Sequence, residues 1–209
     1  MKKKDNSTDL KKKRKILEAL KKIVSTYGWS QNVNNKLINI NISSQELAYY
    51  FPNGYKDMLK FTLDEINHLL EKKISKINII NLSLNKRIKK ILLSRIEILN
   101  QDKIFFKKTF NHLLLPQNAK ILKKSLYNSV DTMWYLAGDN STDFNFYTKR
   151  IILAGIYVNA IFIFFNKNID EAEINIDKNL KKISKFPKIK ERFSFLKDNL
   201  PIFLKSIIG

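Results

Sequence analysis

Apolar residues along this chain recur mostly at spacings of three and four, the repeat of a helix buried along one face. Leu17, Leu20 and Val24 make the first stripe, broadened by Ile16 and Ile23, and predict a helix over 10–27 that Gly28 stops. Ser30 is placed to cap a short second helix, and Ser43 or Ser44 to cap a third over SQELAYYF. Beyond the FPNG turn the spacing predicts helices over 55–74, 83–100 and 102–115. Pro116 suits the first turn of a seventh, where its missing N–H would be unpaired anyway, and that helix ends near Gly138. An eighth, capped by Thr142 or Asp143, carries the longest apolar run, 151–165; a ninth covers about 170–185, and the last begins near Pro187. The alternation from Leu37 to Ile42 is short and full of Asn, so the expected fold class is all-α, a bundle of about ten helices.

The last predicted helix has one apolar face. Ile189, Phe193, Leu196, Leu200, Phe203 and Ile207 recur at four, three, four, three and four, with Lys188, Lys190, Arg192 and Lys197 largely off that face. Such a segment packs on a core or a second subunit, or lies in a headgroup layer with its basic residues toward anionic lipid. Pro201 removes one backbone donor and kinks it. The run 151–165 contains Asn159 and falls short of the roughly 20 residues that span a bilayer, which predicts a buried core helix.

Charge changes the picture of partners more than of fold. The 209 residues carry 39 basic and 19 acidic side chains, a formal net charge of +20, and 44% are hydrophobic. That field attracts nucleic acid or anionic lipid, although a chain crowded with Lys, Asn and Ile also acquires charge through AT-rich coding. Cysteine is absent, which excludes disulfides, thiolate metal sites and a cysteine nucleophile. The basic start, MKKKDNSTDLKKKRKIL, has no apolar run of a secretory signal behind it, and Lys-rich with Asp5 and Asp9 it is unlike an Arg-rich transit peptide.

Candidate chemistry is sparse. His68 and His112 are the two histidines. Glu65 and His68 form one Glu-x-x-His, where a di-iron bundle needs two and two further glutamates. A calcium loop counted from Asp139 would need Gly sixth and Glu twelfth, and those places hold Phe144 and Arg150. With no phosphate loop or nucleophile elbow either, the reading is a non-enzyme: no catalytic residue, no metal, no cofactor.

The segment Val130 to Arg150 packs Met133, Trp134, Tyr135, Phe144, Phe146 and Tyr147 around a polar loop, more aromatic surface than helical spacing can bury. Here the chain resembles the coenzyme Q nine family, in SVDTMWYLAGDNSTDFNFYTKR followed by IILAGIYVNA. Weaker similarity lies in YGWS, LAYYFPNGYKDMLKF, NKRIKKILLSRIE and LLLPQNAK, in the family's order, so that most of 16–165 is covered.

The resemblance implies a TetR-like helical fold, commonly dimeric, that holds an isoprenoid lipid or phospholipid and assists the di-iron demethoxyubiquinone hydroxylase. Three short helices before a longer one agree with a TetR-type helix-turn-helix layout. The expected organisation is a basic, disordered tail over 1–9, a lipid-binding domain over 10–185 whose 10–54 part is helix-turn-helix-like, and an amphipathic helix over 186–209 that touches membrane. The family's partner surface carries over to Asp131, Met133, Phe146 and Tyr147, with Phe146 standing where the family usually has Trp. Ile152, Ile156, Ala160 and Ile163 recur at four, four and three and are the candidates for lining a lipid cavity. The expected location is bacterial cytoplasm at the inner membrane, or the matrix side of the mitochondrial inner membrane. The rival reading is a TetR-type DNA-binding regulator; against it, SSQELAYYFPNG has no Lys or Arg to read bases, so no specific nucleic acid is expected.

Overall fold

Burying the stripes against one another produces nine α-helices and one 3-10 turn among the residues that the computed structural model describes, 2–139 and 145–184. In chain order these are α1 (Lys2–Tyr27), α2 (Val33–Ile38), α3 (Ser44–Tyr50), α4 (Tyr55–Ile74), α5 (Leu84–Gln101), α6 (Lys103–Leu113), the turn Pro116–Asn118, α7 (Ala119–Leu136), α8 (Asn145–Asn166) and α9 (Ile169–Ser184). The all-α expectation holds, and no strand occurs among the described residues. Helix α4 packs on α5 and α7, α8 lies on α7 and α9, and α1 lies along α6 and α2. Leu20, Val24, Met58, Leu59, Leu92, Ile96 and Phe164 are buried on the facing sides.

Local chemistry explains the ends. Gly28 takes φ +77°, a left-handed conformation that costs glycine little, and its N–H bonds back to the Val24 carbonyl at 2.8 Å. Gly138, at φ +82°, ends α7 the same way: the Asp139 N–H reaches the Trp134 carbonyl at 3.0 Å and the Gly138 N–H the Tyr135 carbonyl at 2.9 Å.

Three boundary expectations are corrected. Helix α1 begins at Lys2, eight residues ahead of the start expected for the first helix. Side chains pin its start to α3: the Tyr50 hydroxyl donates to Asp9 at 3.2 Å and Lys12 pairs with Glu46 at 3.5 Å. Asn32, not Ser30, holds the N-cap position of α2, because the chain first turns through a Val33 N–H to Ser30 carbonyl bond at 3.2 Å. Pro116 opens a 3-10 turn, and α7 starts at Ala119, with buried Asn118 donating to the His112 carbonyl at 2.8 Å. Ser43 does stand at the N-cap position of α3, without a side-chain hydrogen bond. Thr142, Asp143 and the predicted last helix lie outside the described residues.

Helix α8 has two apolar faces. Leu153, Tyr157, Ile161 and Phe164 are buried, whereas Ile151 and Phe162 are exposed at 55% and 61%. Among the described residues it is the one helix long and apolar enough to cross a membrane, and 44% of that stretch is buried in the bundle.

Candidate functional site

Helices α4 to α8 leave an apolar cavity between them, of about 70 Å³. Leu63 and Ile66 come from α4, Leu99 from α5, Phe106, Phe110 and Leu113 from α6, Leu122 and Leu126 from α7, and Tyr157, Val158, Ile161 and Phe165 from α8. That volume takes a compact group of about five water-sized atoms. Its outer wall is the half-buried Leu122 and Leu126 with the partly exposed Val158, so it opens toward solvent between α7 and α8.

One end of the cavity is polar. Arg95, 1% exposed, donates from Nε to the Tyr157 hydroxyl at 2.5 Å, from Nη1 to Asn67 Oδ1 at 2.7 Å and from Nη2 to Ser129 Oγ at 2.7 Å. These four residues sit on α5, α8, α4 and α7, so one guanidinium ties four helices. Thr109, also on the cavity wall, donates to the Phe105 carbonyl at 2.8 Å and accepts the Trp29 indole N–H at 2.9 Å. Behind that wall His112 stacks on Trp29 with ring centroids 6.0 Å apart, and burial pushes its imidazole below the ordinary value.

The predicted lipid-lining stripe is not the stripe on this cavity. Ile156 and Ala160 are buried and Ile152 and Ile163 half-buried, but α8 turns Tyr157, Val158, Ile161 and Phe165 to the cavity. One residue step rotates a helix position by about 100°, which is the offset between the two sets.

The predicted partner residues gather at the α7–α8 corner, with one exception. Arg150 donates through Nε and Nη2 to Asp131 Oδ1 at 2.8 and 2.6 Å and through Nη1 to the Phe146 carbonyl at 3.1 Å. Its guanidinium lies 3.2 Å from the Phe146 ring centroid, and Phe146 meets Tyr147 edge-on at 5.1 Å. Lys149 pairs with Asp139 at 2.6 Å, and Asp139 approaches Arg150 at 3.8 Å. Tyr147 and Tyr135 are exposed at 50% and 75%. Met133 is the exception: fully buried, it cannot meet a partner. It sits two residues, about 200°, around α7 from the accessible Asp131, so only one of the pair can face outward.

Other candidates resolve simply. Among the described residues no three His, Asp or Glu gather to hold a metal. Glu65 is held by Arg14 at 2.7 Å, and His68 is exposed. A wider surface cleft of about 580 Å³ between α4 and α7 carries Lys56, Lys60, Lys120 and Lys124 and meets the apolar cavity at Ser125. Asp64 in that cleft has its carboxyl pushed up by burial, against the opposing pull of Lys124.

Residues 119–186, which span α7, α8 and α9, match the COQ9 family model. The chain belongs to the COQ9 family. It is 31% identical over 151 residues to the Bos taurus protein named ubiquinone biosynthesis protein COQ9, mitochondrial, covering 68% of this chain and 47% of that one. It is 28% identical over 171 residues to the Dictyostelium discoideum probable ubiquinone biosynthesis protein coq9, mitochondrial, covering 76% and 54%. A short stretch of 45 residues is 53% identical to Xenopus laevis COQ9-B, 22% of this chain and 15% of that one. The chain thus spans about half the length of the relatives it matches. The COQ9 match takes in the corner around Arg150 and the α7–α8 wall of the cavity, whereas Arg95 lies outside it.

Arg95, Tyr157, Ser129 and Arg150 are residues that sequence reasoning did not single out. A signal for Arg95 existed. Ile88, Leu92, Arg95 and Leu99 recur at four, three and four, which puts an arginine on a buried stripe.

Proposed function

We propose that this COQ9-family chain is a non-catalytic lipid-binding accessory protein of ubiquinone biosynthesis. It takes up an isoprenoid quinone intermediate and presents it to the di-iron demethoxyubiquinone hydroxylase at a membrane surface. The observation that carries the reading is the apolar cavity opening between α7 and α8, two helices that lie within the segment matching the COQ9 family model. A long-tailed quinone is nearly insoluble, and a preformed apolar cavity lowers the cost of covering part of it. Tail entry parts α7 and α8 further at Leu126 and Val158, because a cavity of about 70 Å³ holds a compact group only.

The hydroxylase docks on Asp131, Phe146 and Tyr147 at the corner. A second copy of the chain covers the exposed face of α8, Ile151 and Phe162. Membrane contact rests on the sequence spacing of Ile189, Phe193, Leu196, Leu200, Phe203 and Ile207, which lie outside the described residues. The relatives carry mitochondrial names, and these favour the matrix side of the mitochondrial inner membrane over a bacterial inner membrane.

The test is organic extraction of the purified protein followed by mass spectrometry. A stoichiometric lipid with an isoprenoid tail is expected. A lipid-free protein that binds the promoter region of its own gene selectively would replace this reading with the DNA-binding one.

A further inference from the structure

Arg95 is the least compensated charge in the described core. It is 1% exposed, and among the described residues no carboxylate lies within ion-pairing distance of it. Its three bonding partners are a phenol, an amide oxygen and a hydroxyl, all neutral. Buried cations are ordinarily paired, as Arg150 is with Asp131 and Asp139. Asp64, Glu71 and Asp131 line a shallow surface cleft outside Asn67, and none of them forms an ion pair with the guanidinium. Glu65, on the same helix as Asn67, is committed to Arg14.

The position of Arg95 says what would complete it. Arg95, Tyr157 and Ser129 all lie on the wall of the apolar cavity. The Tyr157 hydroxyl accepts from Arg95, and its own proton has no acceptor among the described residues. A phenol polarised by a guanidinium is a strong donor. The cavity therefore presents positive charge and a spare O–H donor at one end and mostly hydrocarbon elsewhere.

From this we infer that the cavity selects lipids with an anionic oxygen head group, a carboxylate or a phosphate, which Arg95 and Tyr157 bind while the chain runs out between α7 and α8. This rests on the lipid-binding reading above and parts from it at the head group: a neutral quinone ring carries no anion, so the ligand class inferred for this cavity is an acidic lipid. The volume suits a head of a few atoms, and an anion there supplies the charge that the protein leaves out. Tyr157 and Ser129 are positioned to share the head, since each already touches the guanidinium.

The experiment titrates the full chain with three probes of one tail, oleate, oleyl phosphate and oleyl alcohol, read by native mass spectrometry and thermal shift. Both anionic probes should bind at least about tenfold tighter than the alcohol. The order of the two tells a carboxylate source from a phosphate source. Arg95→Met should bring the anionic probes down to the alcohol and leave the alcohol within about twofold. Should that variant fail to fold, Tyr157→Phe decides: it should cost the anionic probes about threefold to tenfold and the alcohol less, so that the anionic preference narrows.

Equal binding of all three probes by the unaltered chain overturns the head-group assignment and keeps the lipid reading. An anionic preference that survives Arg95→Met but vanishes in Lys120→Ala/Lys124→Ala places the head in the lysine cleft and overturns it too. No binding of any probe sinks the assignment together with the lipid reading.

Discussion

Two buried arginines in this molecule have opposite surroundings. Arg150, at the α7–α8 corner, is held by Asp131, with Asp139 close by and the Phe146 ring beneath it. Arg95, on the cavity wall, is held by Tyr157, Asn67 and Ser129 and by no carboxylate among the described residues. The first is complete as folded. Its charge is balanced inside the protein, and it fastens α7 to α8 across residues 140–144. The second is complete only when something else supplies the negative charge. Burial alone therefore does not tell a structural arginine from a binding one; the charge of its partners does.

The largest expected effect breaks the complete site. Arg150→Met removes the cation that fastens Asp131 and approaches the buried Asp139. The expected loss is about 2–4 kcal/mol, reduced from the full buried-pair figure because Asp131 is partly exposed. Urea unfolding should show a lower midpoint at unchanged slope. Close in size is Met133→Ala, which empties a fully buried site and should cost about 2–5 kcal/mol in the same assay. Tyr147→Ala, half exposed nearby, should leave stability within about 0.5 kcal/mol. In a pull-down with the hydroxylase, Tyr147→Ala should lose binding. If Met133→Ala loses it while remaining folded and Tyr147→Ala does not, the corner is not the docking surface.

Arg95→Met sharpens the comparison from the other side. It removes an unbalanced buried charge and leaves only neutral groups to re-pair, so stability should stay within about 1 kcal/mol of the unaltered chain, in either direction. A loss as large as that of Arg150→Met would mean Arg95 is structural.

The smallest effect is a pH dependence at His112, behind the cavity wall. Burial lowers its folded-state value from the ordinary 6.5, so the unfolded chain binds the proton first as pH falls. This contribution to stability is fully present above pH 6.5 and is lost as pH drops from there toward the lowered folded value. His112→Gln should flatten that part of the stability profile, measured by thermal unfolding between pH 7.5 and about 5.5.

Most helix positions were legible because one-sided burial writes a three-and-four repeat into the sequence, and Gly28 and Gly138 punctuate it. Met133 came with Asp131 from the family resemblance, and helix geometry puts the two on opposite sides of α7, with Met133 buried. Ile152, Ile156, Ala160 and Ile163 are a real stripe, but periodicity gives a face of α8 and not which neighbour it meets. Tertiary contact put Tyr157 and Ile161 on the cavity. Arg150 stood in the quoted segment as part of YTKR, yet its pairing with Asp131 crosses nineteen positions and cannot be read from local spacing. The start of α1 was missed for the same reason, since Tyr50 holds Asp9 from a different helix.

The most direct test of the central claim, that the α4–α8 cavity is where lipid binds, compares lipid content before and after filling it. Ile161→Phe adds bulk to a cavity-lining residue that is 5% exposed and should leave the fold intact at a cost of about 1–3 kcal/mol. Organic extraction and mass spectrometry should recover stoichiometric lipid from the unaltered chain and little from the filled one. Equal lipid from both, with the variant folded, would place the lipid elsewhere and contradict the account.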